Sequence, residues 1–396
     1  MNKVHVLAFA LAAFAAGASD FTPDGMSGAA IQKAIDAANA AGGGRVALRP
    51  GVYPSGTIYL RSKVELHVPE GAVILGADKP DAYDDVEDKL DGLHPEKSDK
   101  VFISCVDCED VSITGAGVID GQGVKFYDVN SRIWGRFFAK PPHPRPRMIQ
   151  FFRCRNVRLD GVTLKDSPGW TCWFRGCENL EITGVKIYGD QRMINNDGID
   201  VDSCRHVRIK GCDIRSGDDC VVMRAMPPRD DRVMYTVCED VLVEDCTLDS
   251  ACQCIRLGCP SDGTIRRILF RNLKMRGHNG FVSGHPKAYL KKGDGGRCST
   301  EDVRVENCDI DVTTHAVSFY VDKGIKLRNF GDVTFRHVRL KSGRPIRLSG
   351  TAETILRNMR FEHVSGTVAA ESPFDATNVE GLAFDDFSVT AVPASD

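Results

Sequence analysis

Two short segments carry residues whose type and spacing suit chemistry: Asn195-Asn196-Asp197-Gly198-Ile199-Asp200-Val201 and Gly217-Asp218-Asp219-Cys220-Val221-Val222-Met223. Superimposed on their apolar residues, Ile199 and Val201 fall on Val221 and Met223, and Asp197 falls on Asp219, with Asp218 beside them. If the segments are neighbouring parallel strands, about 4.8 Å apart, three carboxyl groups meet with no basic residue inside either motif. Like charges that close raise at least one pKa and leave a proton donor beside ionised bases, the acid/base arrangement of a glycosidase. Two other chemistries fit the same spacing: a ladder of solvated turn residues, since Asp-Gly is a common turn dipeptide, and a calcium site. Strict strand alternation would turn Asp197 to the side of Ile199, so the arrangement requires a bend near Gly198.

The elements that must hold these motifs announce themselves as a repeat. An eight-residue pattern, apolar-x-apolar-x-x-x-x-apolar, often with a small or apolar sixth residue, reads VSITGAGV from Val111, VRLDGVTL from Val157, LEITGVKI from Leu180, VRIKGCDI from Val207 and VLVEDCTL from Val241. It continues as ILFRNLKM from Ile268, VRVENCDI from Val303, VTFRHVRL from Val333, MRFEHVSG from Met359 and LAFDDFSV from Leu382. A period near 23 residues with insertions is a solenoid signature. Each unit alternates as a strand, turns at Gly, Asp or Asn, and resumes as a second short strand, which predicts an all-β parallel β-helix; a β-sandwich is the alternative. Cys154, Cys177, Cys204 and Cys238 precede their strands at matched positions, and Cys212, Cys246 and Cys308 share the sixth place, as small core residues would. Cys105-x-x-Cys108 and Cys252-Gln253-Cys254 lack a zinc-ribbon partner.

The ends and interruptions are also legible. Met26 to Ala41 places Ile31, Ile35 and Ala38 on one helical face and stops at Gly42-Gly43-Gly44, a helix suited to capping the solenoid. Asp120 to Arg147 lacks the repeat, contains Trp134, Phe137 and Phe138, and reads as a long loop over one face. Lys3, an apolar run from Val4 to Ala16 broken by His5, and Ala16-Gly17-Ala18 read as a signal peptide over residues 1–18, with a buried first helix as the alternative. Residues 19–396 are then one domain, secreted or periplasmic, expected to act as a monomer.

The 396 residues are 42% hydrophobic and 27% charged with a formal charge of −3, a composition that excludes disorder or a collagen-like fibre. Nothing in that balance calls for nucleic acid or an anionic membrane as partner.

Asn-x-Asp-Gly-Ile-Asp at Asn195 to Asp200, followed one coil later by Gly-Asp-Asp-Cys at Gly217 to Cys220, resembles the pectin-degrading polygalacturonase family, glycoside hydrolase family 28. GGGRVALRPGVY within Ile31 to Tyr53, Gly56 to Ala77, Asp120-Gly121-Gln122-Gly123 and Ser167-Pro168-Gly169-Trp170 are similar to other parts of that family. The resemblance implies a right-handed, pectin lyase-like parallel β-helix acting on a pectic or related acidic polysaccharide without metal or cofactor. It makes Asp218 the general acid that protonates the glycosidic oxygen and Asp197 and Asp219 the groups that activate water.

The sequence departs from the family one and two coils later. Cys252-Gln253-Cys254 stands where the family has Gly-His-Gly, and Val282-Ser283-Gly284 where it has an Arg-Ile-Lys that holds a galacturonate carboxylate. Basic residues remain dense: Arg256 to Arg297 holds 10 Lys and Arg against Asp262 and Asp294. Arg256, on an outward position between Ile255 and Leu257, is the first candidate for the lost contact; a solvated strand edge rich in Lys and Arg is the alternative. His285 and Lys287 follow it, and Asn195, Arg224 and Gln253 complete the candidate substrate-binding set. Trp134, Trp170 and Trp173 offer either sugar stacking or core packing. A polysaccharide lyase and a catalytically inactive carbohydrate-binding β-helix are the competing functions.

Overall fold

The computed structural model describes residues 19–86, 98–140, 143–226, 237–258, 261, 263–286 and 298–393. Residues 1–18, expected as a signal peptide, and Cys259, Asp262, Lys287, Lys291, Lys292, Asp294 and Arg297 lie outside the described residues.

Through Arg224 a full coil contributes three strands, and from Val237 onward neighbouring strands run together into longer ones; strands pair in parallel with their counterparts in the adjacent coils. Around the site the coils run Arg155–Asp160, Thr163–Lys165, Cys172–Arg175; then Glu178–Thr183, Lys186–Tyr188, Ile199–Asp202; then Arg205–Lys210, Asp213–Ser216, Val221–Arg224. The first residues of the sequence pattern stack directly: Val111, Val157, Leu180, Val207, Val241, Ile268, Val303, Val333 and Met359 are successive register partners. This is the expected right-handed parallel β-helix.

The pattern is held by its turns. The residue before each copy (Asp110, Asn156, Asn179, His206, Asp240, Arg267, Asp302, Asp332, Asn358, Gly381) has positive φ, and so does its fifth residue (Gly115, Gly161, Gly184, Gly211, Asp245, Asn272, Asn307, His337, His363, Asp386). Two left-handed residues therefore bracket every first-sheet strand, and Gly, Asn and Asp tolerate that conformation best. Side-chain ladders reinforce the corners: Asn156 donates to Asp110 at 2.8 Å and Asn179 donates to Asn156 at 3.0 Å.

Inside, apolar residues of all three sheets form one continuous core from Ile31 to Val389. The matched cysteines lie within it as free thiols: the Cys154 amide donates to Cys177 Sγ and the Cys177 amide to Cys204 Sγ, each at 3.4 Å. The capping helix spans Gly28–Ala40, with the Ser27 hydroxyl accepting from the Ala30 amide at its N-terminus and Ile31, Ala34, Ile35 and Ala38 buried on the first coils.

The segment Asp120 to Arg147 is more ordered than a loop. It contains a 3-10 turn, Gly123–Phe126, and an antiparallel hairpin of Asp128–Ile133 with Phe137–Ala139, and Arg147 already opens the next coil. Phe138 is anchored by its amide donating to the Arg192 carbonyl, with the Arg132 and Arg192 guanidinium groups over its ring. Buried aromatic residues and paired arginines give this stretch its own packing, which the absence of the solenoid period concealed.

Candidate active site

The carboxylates lie on the outward side of the third sheet, at the turn leading into its strands. Ile199 pairs with Val221 and Val221 with Ile255, so Asp197, Asp219 and Gln253 stack in one column of three successive coils. The chain bends at Gly198 and again at Cys220, the device that frees Asp197 and Asp219 from strand alternation. Glycine is required at Gly198 because a Cβ there would strike the Cys220 carbonyl and the Ile214 side chain, and at Gly217 because it would strike the Met193 carbonyl.

Asp218 is fastened from all sides. The Asn195 amide donates to its Oδ2 at 2.9 Å and the Asp219 amide to its Oδ1 at 3.1 Å, while Asn196 Oδ1 accepts from the amides of Gly217 and Asp218. Its carbonyl accepts from the hydroxyls of Ser216 and Ser250. Arg145, buried at the end of the non-repeat segment, reaches Asn195 Oδ1 at 3.1 Å and the carbonyls of Ile194 and Pro168 at 2.9 Å. Asp218 is half-buried, whereas Asp197, Asp200 and Asp219 are buried.

The cluster is not without cations, as its motifs alone suggested. Arg224 Nη2 lies 3.0 Å from Asp200 Oδ1 and 3.4 Å from Asp197 Oδ2, and Arg256 Nη1 lies 2.9 Å from Asp219 Oδ2. Burial is the first cause of the raised pKa values here, ahead of like-charge repulsion. It pushes Asp197 well above the usual carboxylate range, Asp200 to about 7 against the pull of Arg224, and Asp219 to about 6 against the pull of Arg256. At neutral pH the cluster therefore shares protons, and its two guanidinium groups govern how readily they leave. Asp197 Oδ1 and Asp219 Oδ1 have no hydrogen-bond partner among the described residues. Asp218, Asp219 and Cys252 bring their side-chain ligand atoms within 4.8 Å of one another.

The remaining candidates divide by exposure. Gln253 and Asn195 are half-buried at the site, and Gln253 Oε1 is without a partner among the described residues. Arg224 is sealed in, 3% exposed, with its guanidinium 4.2 Å from the Trp170 ring centre. Arg256 faces Asp219, with its side chain 18% exposed. His285 is buried, its ring 5.5 Å from Phe330, and burial with Arg256 nearby lowers it to about 4. Trp170 and Trp173 are buried in a small outward core with Phe152 and Met226, so core packing decides both; Trp134, at the hairpin tip, is 80% exposed. Sequence reasoning missed Asp200 and Arg145. Asp200 was visible as the outward residue between Ile199 and Val201, but Arg145 sits outside the repeat and carried no signal.

Comparison with known proteins agrees with this geometry. The model of Glycosyl hydrolases family 28 matches residues 85–227, a stretch that contains both carboxylate motifs. Over this stretch the chain is similar to glycoside hydrolase family 28. A probable polygalacturonase of Vitis vinifera is 38% identical over 118 residues, 29% of this chain and 23% of that protein. A probable endo-xylogalacturonan hydrolase A of Aspergillus flavus is 26% identical over 208 residues, 50% of this chain and 47% of that protein. The chain thus spans from about a quarter to about half the length of these relatives. The family 28 exopolygalacturonase of Yersinia enterocolitica superposes with a TM-score of 0.68 over 92% of this chain and 78% of its own, at 16% identity, which is a likeness of fold.

Proposed function

We propose that this protein is a family 28 glycoside hydrolase, secreted or periplasmic, whose single catalytic domain, residues 19–396, cleaves a pectic or related acidic polysaccharide by aspartate acid/base catalysis with direct attack of water. The observation that carries the reading is the column of Asp197 over Asp219 with Asp218 beside it, fixed by the Asn195 amide and paired to arginines in neighbouring coils. Asp218, half-buried beside the column, gives its proton to the glycosidic oxygen as the bond to the anomeric carbon breaks. Asp219 or Asp197, in its ionised form, takes a proton from the water whose oxygen forms the new bond. The proton lost and the proton gained balance, and the pair returns to its starting state through solvent.

Loss of the family's Arg-Ile-Lys and histidine argues against unmodified polygalacturonan as the best substrate and favours a branched or mixed pectic chain, such as a rhamnogalacturonan. A relative named for xylogalacturonan supports a branched chain as well. A lyase needs a base free to remove a proton beside the sugar carboxylate, and both arginines at the cluster already face carboxylates. Incubation of the protein with a panel of pectic and other plant or algal polysaccharides tests the reading. New reducing ends without an ultraviolet-absorbing unsaturated product support hydrolysis. The unsaturated product identifies a lyase, and binding without cleavage identifies an inactive carbohydrate-binding β-helix.

A further inference from the structure

With Arg256 engaged by Asp219 and no cation at Val282-Ser283-Gly284, the column beside the acid presents no exposed arginine or lysine among the described residues; further along the solenoid cationic side chains return. The column that runs Asp219, Gln253, Asn279 continues through His315 and Arg344. At about 4.8 Å per coil, Asn279 lies about 10 Å and Arg344 about 19 Å from Asp219 along the axis. Asn279 is pinned at the wall, its Oδ1 accepting from the Thr314 hydroxyl and, at 3.3 Å, from the His315 amide. His278 precedes it, with Nδ1 3.3 Å from Thr313 Oγ1, and His315 Nδ1 lies 2.7 Å from the Pro345 carbonyl.

The hairpin of the non-repeat segment converges on the same place. Arg136, next to the exposed Trp134 at its tip, stacks on Phe137 at 4.5 Å and is close enough to depress His278 electrostatically, as Arg344 and His315 also do. Arg136 and Arg344 are exposed and make no ion pair with any described residue. Arg347, one residue past the Ile346 strand start, sits 4.8 Å over Tyr320, whose ring lies against Gly284, where any Cβ would collide with it. Asp375, which raises His315, is the acidic group that faces this set; Arg344 and Arg347 oppose it there. Arginines from elements far apart in the chain thus gather around two imidazoles whose protonation they disfavour, an effect that a bound anion would offset.

We propose that Arg136, His278, His315 and Arg344 form a subsite for a carboxylate-bearing sugar unit, two to four coils from Asp219 on the C-terminal side, which takes over the acidic-sugar recognition lost at Val282-Ser283-Gly284. Tyr320 and Arg347 line the wall alongside it. This rests on the reading of the groove as a glycan site, and it fixes the direction in which an acidic chain extends from the point of cleavage. Guanidinium groups are suited to the role because each can offer two parallel N–H donors to one carboxylate.

The test compares wild type, Arg136→Ala, Arg344→Ala and the double variant, with Lys341→Ala as a control that removes an exposed cation outside the groove. Polygalacturonate and the same polymer fully methyl-esterified are the probes, with oligogalacturonide dimers as the short substrate. KM for the acidic polymer should rise about tenfold in each single variant and further in the double, with kcat moving far less. The rise should vanish on the esterified polymer and on dimers too short to reach the subsite. An unmoved KM in the double variant, or an equal rise on the esterified polymer or in Lys341→Ala, overturns the proposal. If wild type cleaves neither polymer, retardation of the protein in a native gel cast with polygalacturonate still decides. Retardation in wild type lost in the double variant upholds the subsite while the hydrolase reading fails, and absence of retardation in wild type refutes the subsite.

Discussion

The site has two halves built from the same residue types. In one, Asp197 and Asp200 share Arg224 beneath Trp170, and every member is buried. In the other, Asp219 meets Arg256, whose side chain is 18% exposed, beside the half-buried Asp218, Cys252 and Gln253. In the sealed half the Arg224 guanidinium is held where it limits the protonation of Asp197. The open half includes the half-buried Asp218, where a proton can exchange with solvent.

Breaking the sealed half should have the largest effect. Arg224→Ala leaves Asp197 and Asp200 buried without their cation, and removing one partner of a buried pair costs about 3–5 kcal/mol. Denaturant unfolding should register that loss, together with loss of activity. Arg224→Lys should recover only part of it, because a lysine replaces the planar group that lies over Trp170 and touches both carboxylates. Stability equal to wild type in Arg224→Ala would show that the carboxyls are neutral there and that Arg224 holds nothing in place.

The open half should respond in rate instead of stability. Asp218→Asn keeps the shape and one of the two amide-accepting oxygens at a half-buried position, so the thermal midpoint should fall far less than in Arg224→Ala. Hydrolysis should fall about 10²-fold or more, since an amide cannot give the leaving oxygen its proton. Asp197→Asn and Asp219→Asn should be nearly as damaging. A wild-type rate in folded Asp218→Asn would remove it as the acid.

How much of this contrast is readable in the sequence follows from what sets each feature. The coil, its turns and the cysteine ladder are set by local periodicity, and the left-handed fifth residue recurs as Gly, Asn, Asp or His in every copy of the pattern. The stacking of Asp197 on Asp219 follows from that same register. The charge pairing does not, because it depends on where long side chains point across coils of unequal length: Arg224 reaches back to Asp197 and Asp200, and Arg256 crosses a 34-residue coil to Asp219. The burial of Trp170 and Trp173 is equally hidden, since it is made by residues packed outside the solenoid wall. Residues on the repeat are legible by position, and residues that cover it are legible only by contact.

Arg256 gives the finest separation of the two roles considered for it. Its guanidinium holds Asp219 down, so Arg256→Ala should raise the pKa of Asp219 above its value of about 6. A base with a higher pKa is protonated over more of the acidic range, so the acid limb of the pH–rate profile should move to higher pH. At a fixed pH on that limb, a base whose affinity for the proton is about tenfold higher is ionised about tenfold less, and the rate falls in proportion. KM on an acidic chain should change less than the limb does. A raised KM with the limb unmoved would restore Arg256 as a substrate ligand and take it away from Asp219.

The smallest expected effect is that of a chelator, which should leave hydrolysis intact. Calcium takes six to eight oxygen ligands. Here Asp219 Oδ2 already faces Arg256, Asp197 and Asp200 face Arg224, and both Asp218 oxygens accept backbone amides. Among the described residues, the three-group cluster that remains includes the Cys252 thiol, which burial and the neighbouring Asp218 and Asp219 keep protonated, and sulfur is a poor partner for a hard cation. The measurement is the rate before and after exhaustive dialysis against EDTA, then after calcium is restored. Complete loss reversed by calcium would mean that the open half holds an ion instead of a proton, and the lyase reading would then describe it better than hydrolysis.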